Sequence, residues 1–555
     1  MAHKTTSADD ANADYLIVGA GSAGCVLANR LSADPANRVI LLEAGGDDRP
    51  LHNPSQFLSN LSVQVPAGSI RTLKDPNVNW LYKTAPDTSS GDRVHIWPRG
   101  KVLGGSSSIN GMLYVRGQPA DYDGWSKLGC TGWGWDDLLP YFRRAESYSD
   151  GLPELHGGDG PMNISASPPH PVSEALLAAC AQTGIPRVDD INGPQQEGAA
   201  YFRLNIHRGR RQSSAQAYLH PITHRRNLRV VTGAQATRIL FEGSRAVGVE
   251  AIKDGHTWRF TARCEVILSG GTVHSPQLLQ HSGIGPGALL QRHGIAVRRD
   301  LPGVGCNLQD HYMVGLQYRL RPGVVSLNEA THGVRLVQEA MRYAFTRKGL
   351  FSQSTAHVAI FCKSRAGLAT PDIQFHMMPA TMDFQKLAET QKWAMERLPG
   401  LTLAPCQLRP QSRGTIMINS ADPLAHPVIH PNYLSAPEDQ EVAIAAVGIA
   451  REIMRQPALS DIVVHETFPG PEVSGRDAVL EFCRSTGSTV YHPVGTCSMG
   501  SGPDAVVDWR LRVRGCEGLR VVDASIMPRI TSGNTHAPTG MIAEKASDLI
   551  LADDV

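Results

Sequence analysis

The stretch Tyr15-Leu16-Ile17-Val18-Gly19-Ala20-Gly21-Ser22-Ala23-Gly24 is followed, nineteen residues past Gly24, by Glu43 at the end of Arg38-Val39-Ile40-Leu41-Leu42-Glu43. It reads as a strand, a glycine-rich turn, a helix and a second strand closed by an acid. Gly19 permits the tight turn, Gly21 lets a pyrophosphate approach the backbone, and Gly24 lets the helix pack closely on the strand. The amides at the start of that helix suit an anion. Glu43 has the spacing to take a ribose hydroxyl pair, and a carboxylate there disfavours a 2′-phosphate. The fingerprint therefore points to a dinucleotide and leaves FAD and NAD both open.

Outward from this unit, the chain of 555 residues is too long for one ordinary core, which implies two domains or one large elaborated unit. A composition of 41% hydrophobic and 19% charged residues, with a net charge of +1, is that of a soluble globular protein with no electrostatic reason to bind nucleic acid. Residues 1–13 are polar with both signs of charge, and read as a flexible lead-in resembling neither a signal peptide nor a transit sequence. No run reaches the eighteen apolar residues of a transmembrane segment, so the expected location is cytoplasmic. The ten cysteines form no CxxC pair and read as reduced, mostly buried thiols. No HExxH is present; His426 and His430, in a proline-punctuated loop, are the one weak metal candidate, and no metal is expected.

A second glycine-rich loop, Gly100-Lys101-Val102-Leu103-Gly104-Gly105-Ser106-Ser107-Ser108-Ile109-Asn110, is flanked by apolar side chains, as a loop against a planar ligand requires. Residues 228–231 and 246–251 read as strands of a hairpin-rich sheet, and 265–271 as a buried parallel strand rejoining the first unit, followed by a helix at 275–280. From about 312 to 488 the pattern changes to helices near 333–347 and 440–455 with alternating strands near 372–377 and 414–419, a natural substrate domain.

These segments carry a family resemblance. Residues 100–117, the run Gly271-Thr272-Val273-His274-Ser275-Pro276 continuing to Gly285, and the block 492–545, together with the first fingerprint, resemble the glucose-methanol-choline (GMC) oxidoreductases, flavoenzymes that oxidise alcohols. The resemblance implies an α/β fold: a Rossmann-like FAD-binding domain assembled from 14–155, 213–311 and 489–551, and a substrate-binding domain of antiparallel sheet and helices from 156–212 and 312–488. It implies FAD rather than NAD. By position, Gly19, Gly21, Ser22, Ala23, Gly24 and Glu43 would hold the ADP half, with Ala236 near the adenine. Val102, Gly104, Ser106 and Asn110 would run along the pyrophosphate and isoalloxazine, Asp523 and Ala524 would touch the ribityl chain, and Trp80, Thr535 and His536 would also contact the cofactor. Ile109 stands where some relatives carry a histidine bonded to the flavin, so the FAD is expected to be non-covalent.

Oxidising an alcohol by hydride loss requires removal of the hydroxyl proton, and an imidazole near neutral pKa is suited to take it. The resemblance places that base at His492, in Tyr491-His492-Pro493, and its partner at Asn534, in Ser532-Gly533-Asn534-Thr535-His536. His536 departs from the asparagine of many relatives and is expected to contact the flavin. A Ser/His hydrolase is disfavoured by the lack of a GxSxG elbow. The expected reaction is FAD-dependent alcohol oxidation to aldehyde or ketone, with oxygen or another electron acceptor; the alternatives are a hydroxynitrile lyase on the same fold and a nicotinamide-dependent dehydrogenase. Expected cavity walls are 61–65, 351–357 and 374–379, with no anionic side chain identified for a quaternary ammonium.

Overall fold

The computed structural model describes residues 11–383 and 394–553. Strand β1 (Asn12–Val18) begins two residues before the expected boundary at 14, because Asn12 and Ala13 already pair with the strand His256–Leu268. Helix α1 (Ser22–Leu31) follows the glycine turn, and β2 (Val39–Leu42) lies parallel to β1, all four of its residues buried.

These elements belong to a seven-stranded sheet in the order 228–231, β2, β1, 256–268, 245–253, 234–242, with Leu519–Val521 also paired to the strand 256–268. The thirteen-residue strand His256–Leu268 has two roles. Its first half pairs antiparallel with Arg245–Lys253, and its last residues lie parallel to β1 and to 519–521. The expected buried parallel strand is thus the end of a longer one. The strand Leu228–Val231 corrects a reading: it is a parallel edge partner of β2 and no part of a hairpin. A hydrogen bond from the backbone N–H of Val39 to the Asn227 carbonyl carries the pairing back to the residue before that strand.

The second sheet is eight-stranded, with the path 463–468, 316–320, 400–407, 373–378, 358–362, 198–201, every pair on it antiparallel. The strand expected near 372–377 is Ile373–Met378, buried along nearly its whole length instead of alternating, as are its neighbours Val358–Cys362 and Gly400–Gln407. The one expected near 414–419 is Thr415–Met417, which does alternate and pairs with Val428–His430 outside this sheet. One face packs on the helices Pro171–Gln182 and Pro437–Met454 through Phe375, Met377, Leu401, Val442 and Ala446. The other faces inward with His376 and Met378. Strands covered on both faces lose the polar alternation of a solvated sheet. The observed class is the expected α/β architecture with an antiparallel second sheet, and the functional cavity lies between the two sheets.

Candidate active site

The site starts from the backbone of the first turn. Gly19 has φ +103°, a conformation glycine adopts without steric cost, and a Cβ there would lie 2.5 Å from the Ser269 carbonyl oxygen. A Cβ on Gly24 would lie 1.9 Å from the Gly19 carbonyl oxygen, so the third glycine lets α1 seat on the turn. Gly21 differs: a Cβ there would meet nothing closer than 4.0 Å. The backbone there is bare toward the cavity at the N-terminus of α1, which has no side-chain cap, a cradle fitted to a pyrophosphate. The start of the C-terminal helix His536–Asp553 meets the same place, with His536 Nδ1 3.1 Å from the Ser22 hydroxyl.

Glu43 Oε2 accepts from the Ala20 amide at 2.9 Å and Oε1 from the Gly45 amide at 2.8 Å. These bonds aim the carboxylate at the cavity rim. Burial pushes its pKa up to about 7, against the lowering effect of the two amides. The second glycine loop lies directly on the first: the Gly104 amide donates to the Ala20 carbonyl at 2.8 Å, and a Cβ on Gly105 would come within 2.7 Å of the Gly21 Cα. Gly104 and Gly105 have positive φ, a path that few other residues could follow.

A single cavity of about 690 Å³ runs from these two loops to the second sheet. Of the cofactor residues expected from sequence, all line it except Gly24, Val102 and Gly104. Gly24 and Gly104 shape the turns from behind, and Val102 packs with Val63, Val78 and Ile109 in a small apolar cluster under the loop. The expected wall at 61–65 is displaced: the helix Phe57–Gln64 stays outside, and the wall is made by Ala67, Ser69, Ile70 and Leu73. The expected walls at 351–357 and 374–379 do contribute, through Phe351, Ala356, His376 and Met378.

His492 and Asn534, 42 residues apart in sequence, both line the cavity and meet there, with His492 Nε2 3.0 Å from Asn534 Nδ2. Both are 8% exposed. Asn534 Oδ1 accepts from Gln374 Nε2 at 3.3 Å, and its loop is pinned by Asp121, which takes the Ser532 amide and hydroxyl at 2.7 Å each. Burial holds the His492 pKa well below 6.5, and His311, His376 and Arg99 act in the same direction. The imidazole is therefore neutral at physiological pH, the state that can take a proton.

Several site residues were not found from sequence. His311 Nδ1 lies 3.0 Å from His492 Nδ1, the rings nearly perpendicular. Asp310 accepts from the His492 amide at 2.8 Å and from the Tyr433 and Thr489 hydroxyls; burial raises its pKa to about 6. Tyr491, just before the histidine, has φ +67°, a left-handed conformation held by bonds from Arg99 Nη2 to its carbonyl at 2.6 Å and from its amide to the Thr489 hydroxyl at 2.7 Å. Such an outlier costs about 1–3 kcal/mol and persists only where its surroundings impose it. The signal available in sequence was the polar run Gln309-Asp310-His311 between Leu308 and Tyr312-Met313-Val314.

All ten cysteines are free, most of them buried. Among the described residues no His, Cys, Asp or Glu cluster could hold a metal ion, His426 and His430 included, and no helix is long and apolar enough to cross a membrane.

A dinucleotide cradle joined through one cavity to a buried His/Asn pair defines a flavin-dependent oxidoreductase site. The GMC oxidoreductase family models match residues 13–313 and 410–543, and the chain belongs to that family. It uses FAD and acts in the class that oxidises the CH–OH group of alcohols. It is 44% identical to the mouse mitochondrial choline dehydrogenase over 97% of this chain and 89% of the relative. It is 42% identical to an alcohol dehydrogenase [acceptor] of Pseudomonas putida over 97% and 95%. Among solved structures it resembles pyridoxine 4-oxidase from Mesorbium loti, with a TM-score of 0.85 at 30% identity over 97% of this chain and 99% of that one. A formate oxidase of Aspergillus oryzae gives a TM-score of 0.89 at 28% identity, covering 98% of each chain.

Proposed function

We propose that this chain oxidises an alcohol whose tail is neutral and apolar, with His492 as the base and Asn534 as the group that steadies the oxygen. The observation that carries the reading is that one cavity holds the His492–Asn534 pair together with the glycine loops and the apolar side chains Met313, Leu327, Phe351, Met378, Met382 and Met395. Bound FAD supplies the hydride acceptor. His492 Nε2 takes the hydroxyl proton, since an alkoxide expels hydride far more readily than an alcohol. Such a base contributes about 10²- to 10⁴-fold. The Asn534 amide donates to the substrate oxygen and fixes the direction of the C–H bond. Gly19, Gly21, Ser22, Ala23 and Glu43 hold the ADP half, and Trp80, Ser106, Asn110, Asp523, Ala524, Thr535 and His536 hold the rest. Gly24, Val102 and Gly104 support that surface from behind, and Ile109 leaves the flavin non-covalent.

The tail reading follows from charge. Among the described lining residues the only carboxylates are Glu43 and Asp523, both on the cofactor side. Asp523 is engaged by the Gly271 amide and the Ser275 hydroxyl. Among the described lining residues, a quaternary ammonium in this apolar part would meet no carboxylate counter-charge, a cost of several kcal/mol and hence more than about a hundredfold. The name of the mouse relative carries choline and that of the Pseudomonas putida relative an alcohol; the cavity favours the second class.

The test compares anaerobic flavin bleaching by choline and by 3,3-dimethylbutan-1-ol, in which carbon replaces the quaternary nitrogen. The neutral alcohol should have the higher kcat/KM by at least about a hundredfold; choline matching or exceeding it would sink the tail reading. Bleaching by either compound also excludes a cyanohydrin lyase, which performs no net redox. Repeating the panel with oxygen and with a dye acceptor separates oxidase from dehydrogenase.

A further inference from the structure

We propose that His311 is a positioning residue that keeps the proton of His492 on Nδ1, and thereby leaves Nε2, paired with Asn534 Nδ2 at rest, as the proton acceptor on the cavity side. The inference rests on the reading of His492 as the base. It follows from the direction of a chain of hydrogen bonds whose far end is a backbone carbonyl. His311 Nε2 lies 3.1 Å from the Leu408 carbonyl oxygen, which can only accept, so Nε2 of the neutral imidazole carries the proton. Nδ1 of His311 then holds a lone pair. The facing nitrogen, His492 Nδ1 at 3.0 Å, must donate to it. His492 Nε2 is left as the acceptor and takes a hydrogen bond from Asn534 Nδ2 at 3.0 Å. The orientation of Asn534 is fixed in turn, because its Oδ1 accepts from Gln374 Nε2. Every link points the same way, from Gln374 to the carbonyl.

Inverting the base would place two lone pairs against each other at His311 or at the Leu408 carbonyl, in a site where no water is available to relieve the mismatch: His311 is fully buried and Leu408 likewise. Burial also holds the His311 pKa down to about 4, so the ring stays neutral in the working range. Asp310, the residue before it, grips the His492 amide. Two consecutive residues therefore hold the base at backbone and at ring. Because the chain ends on a carbonyl, which cannot take a proton, it is no exit relay. The proton taken up at Nε2 leaves through the cavity.

In the serine-protease template, enforcing the wrong tautomer of the histidine costs about 10⁴-fold. Here His311→Leu would leave the tautomer unenforced and not inverted, so a smaller loss is expected. Anaerobic stopped-flow reduction of the holoenzyme should show a limiting rate lowered about 10- to 10²-fold in His311→Leu, with the substrate dissociation constant and the FAD content unchanged. His311→Gln, whose side-chain oxygen can accept from His492 Nδ1–H, should recover most of the rate. Leu and Gln variants slowed equally would overturn the proposal, since a packing defect would not distinguish them. A normal rate in His311→Leu beside a slow His492→Ala would overturn the lock and leave His492 as the base. A normal rate in His492→Ala would overturn both. If His311→Leu fails to fold, ¹⁵N-histidine spectra of the wild-type holoenzyme, with His492 assigned by difference from His492→Ala, decide the question. A protonated Nδ1 and bare Nε2 support the lock; a proton on Nε2 refutes it.

Discussion

Glu43 offers a prediction whose size can be worked from its surroundings. Its pKa rises from 4.5 to about 7 because burial removes the carboxylate from water faster than two amide bonds repay it. A folded pKa above the unfolded value means that the folded state prefers the protonated acid. The associated stability is fully present below pH 4.5, is lost as the pH climbs, and is gone above about 7. The shift of about 2.5 units, at about 1.4 kcal/mol per unit, corresponds to about 3 kcal/mol. Glu43→Gln keeps the shape and cannot ionise. The apoprotein carrying it should hold its melting temperature between pH 4.5 and 7 while the wild-type apoprotein falls by a few degrees. With FAD present the order reverses. A ribose diol donating to the ionised carboxylate is worth about 1.5–3 kcal/mol, so the substitution should weaken FAD about 10- to 10²-fold at pH 8, read by the fluorescence of released flavin. Parallel melting curves for the two apoproteins from pH 4.5 to 7 would refute the argument.

Ile109 cannot bond to a flavin, so acid precipitation should leave all the yellow colour in the supernatant; flavin retained in the pellet would contradict the expectation. Met313→Glu adds a carboxylate to the thioether wall, and should raise kcat/KM for choline relative to 3,3-dimethylbutan-1-ol by about 10-fold or more, with the ratio measured in one competition experiment. Asp121→Ala removes two of the hydrogen bonds that hold Ser532 and should lower the limiting rate of flavin reduction about 10-fold while FAD stays bound, because the loop carrying Asn534 is then held less firmly.

The parts of the molecule legible in sequence are those that local chemistry decides. The turn at Gly19–Gly24, the acid at 43 and the loop at 100–110 depend on glycines and on spacing; Gly19, Gly21, Glu43, Ser106 and Asn110 line the cavity, while Gly24, Val102 and Gly104 stand behind it. Leu228–Val231 was misassigned because a short apolar strand carries no mark of its partner, and β2 sits almost 190 residues away. The strand Ile373–Met378 lost the expected two-residue alternation because helices cover one face of its sheet and the other faces the cavity, whereas Thr415–Met417, outside that sheet, keeps it. His311 and Asp310 act on His492 across about 180 residues of chain, a contact that only the closed fold creates. The wall at Ala67–Leu73 replaced 61–65 through a displacement of less than two helical turns, below what an apolar pattern can resolve.

The central claim is that His492 removes the hydroxyl proton. The direct measurement is anaerobic stopped-flow reduction of FAD-loaded His492→Ala by an alcohol that bleaches the wild type. The variant should retain its flavin and reduce at least about a hundredfold more slowly; reduction at the wild-type rate would contradict the account.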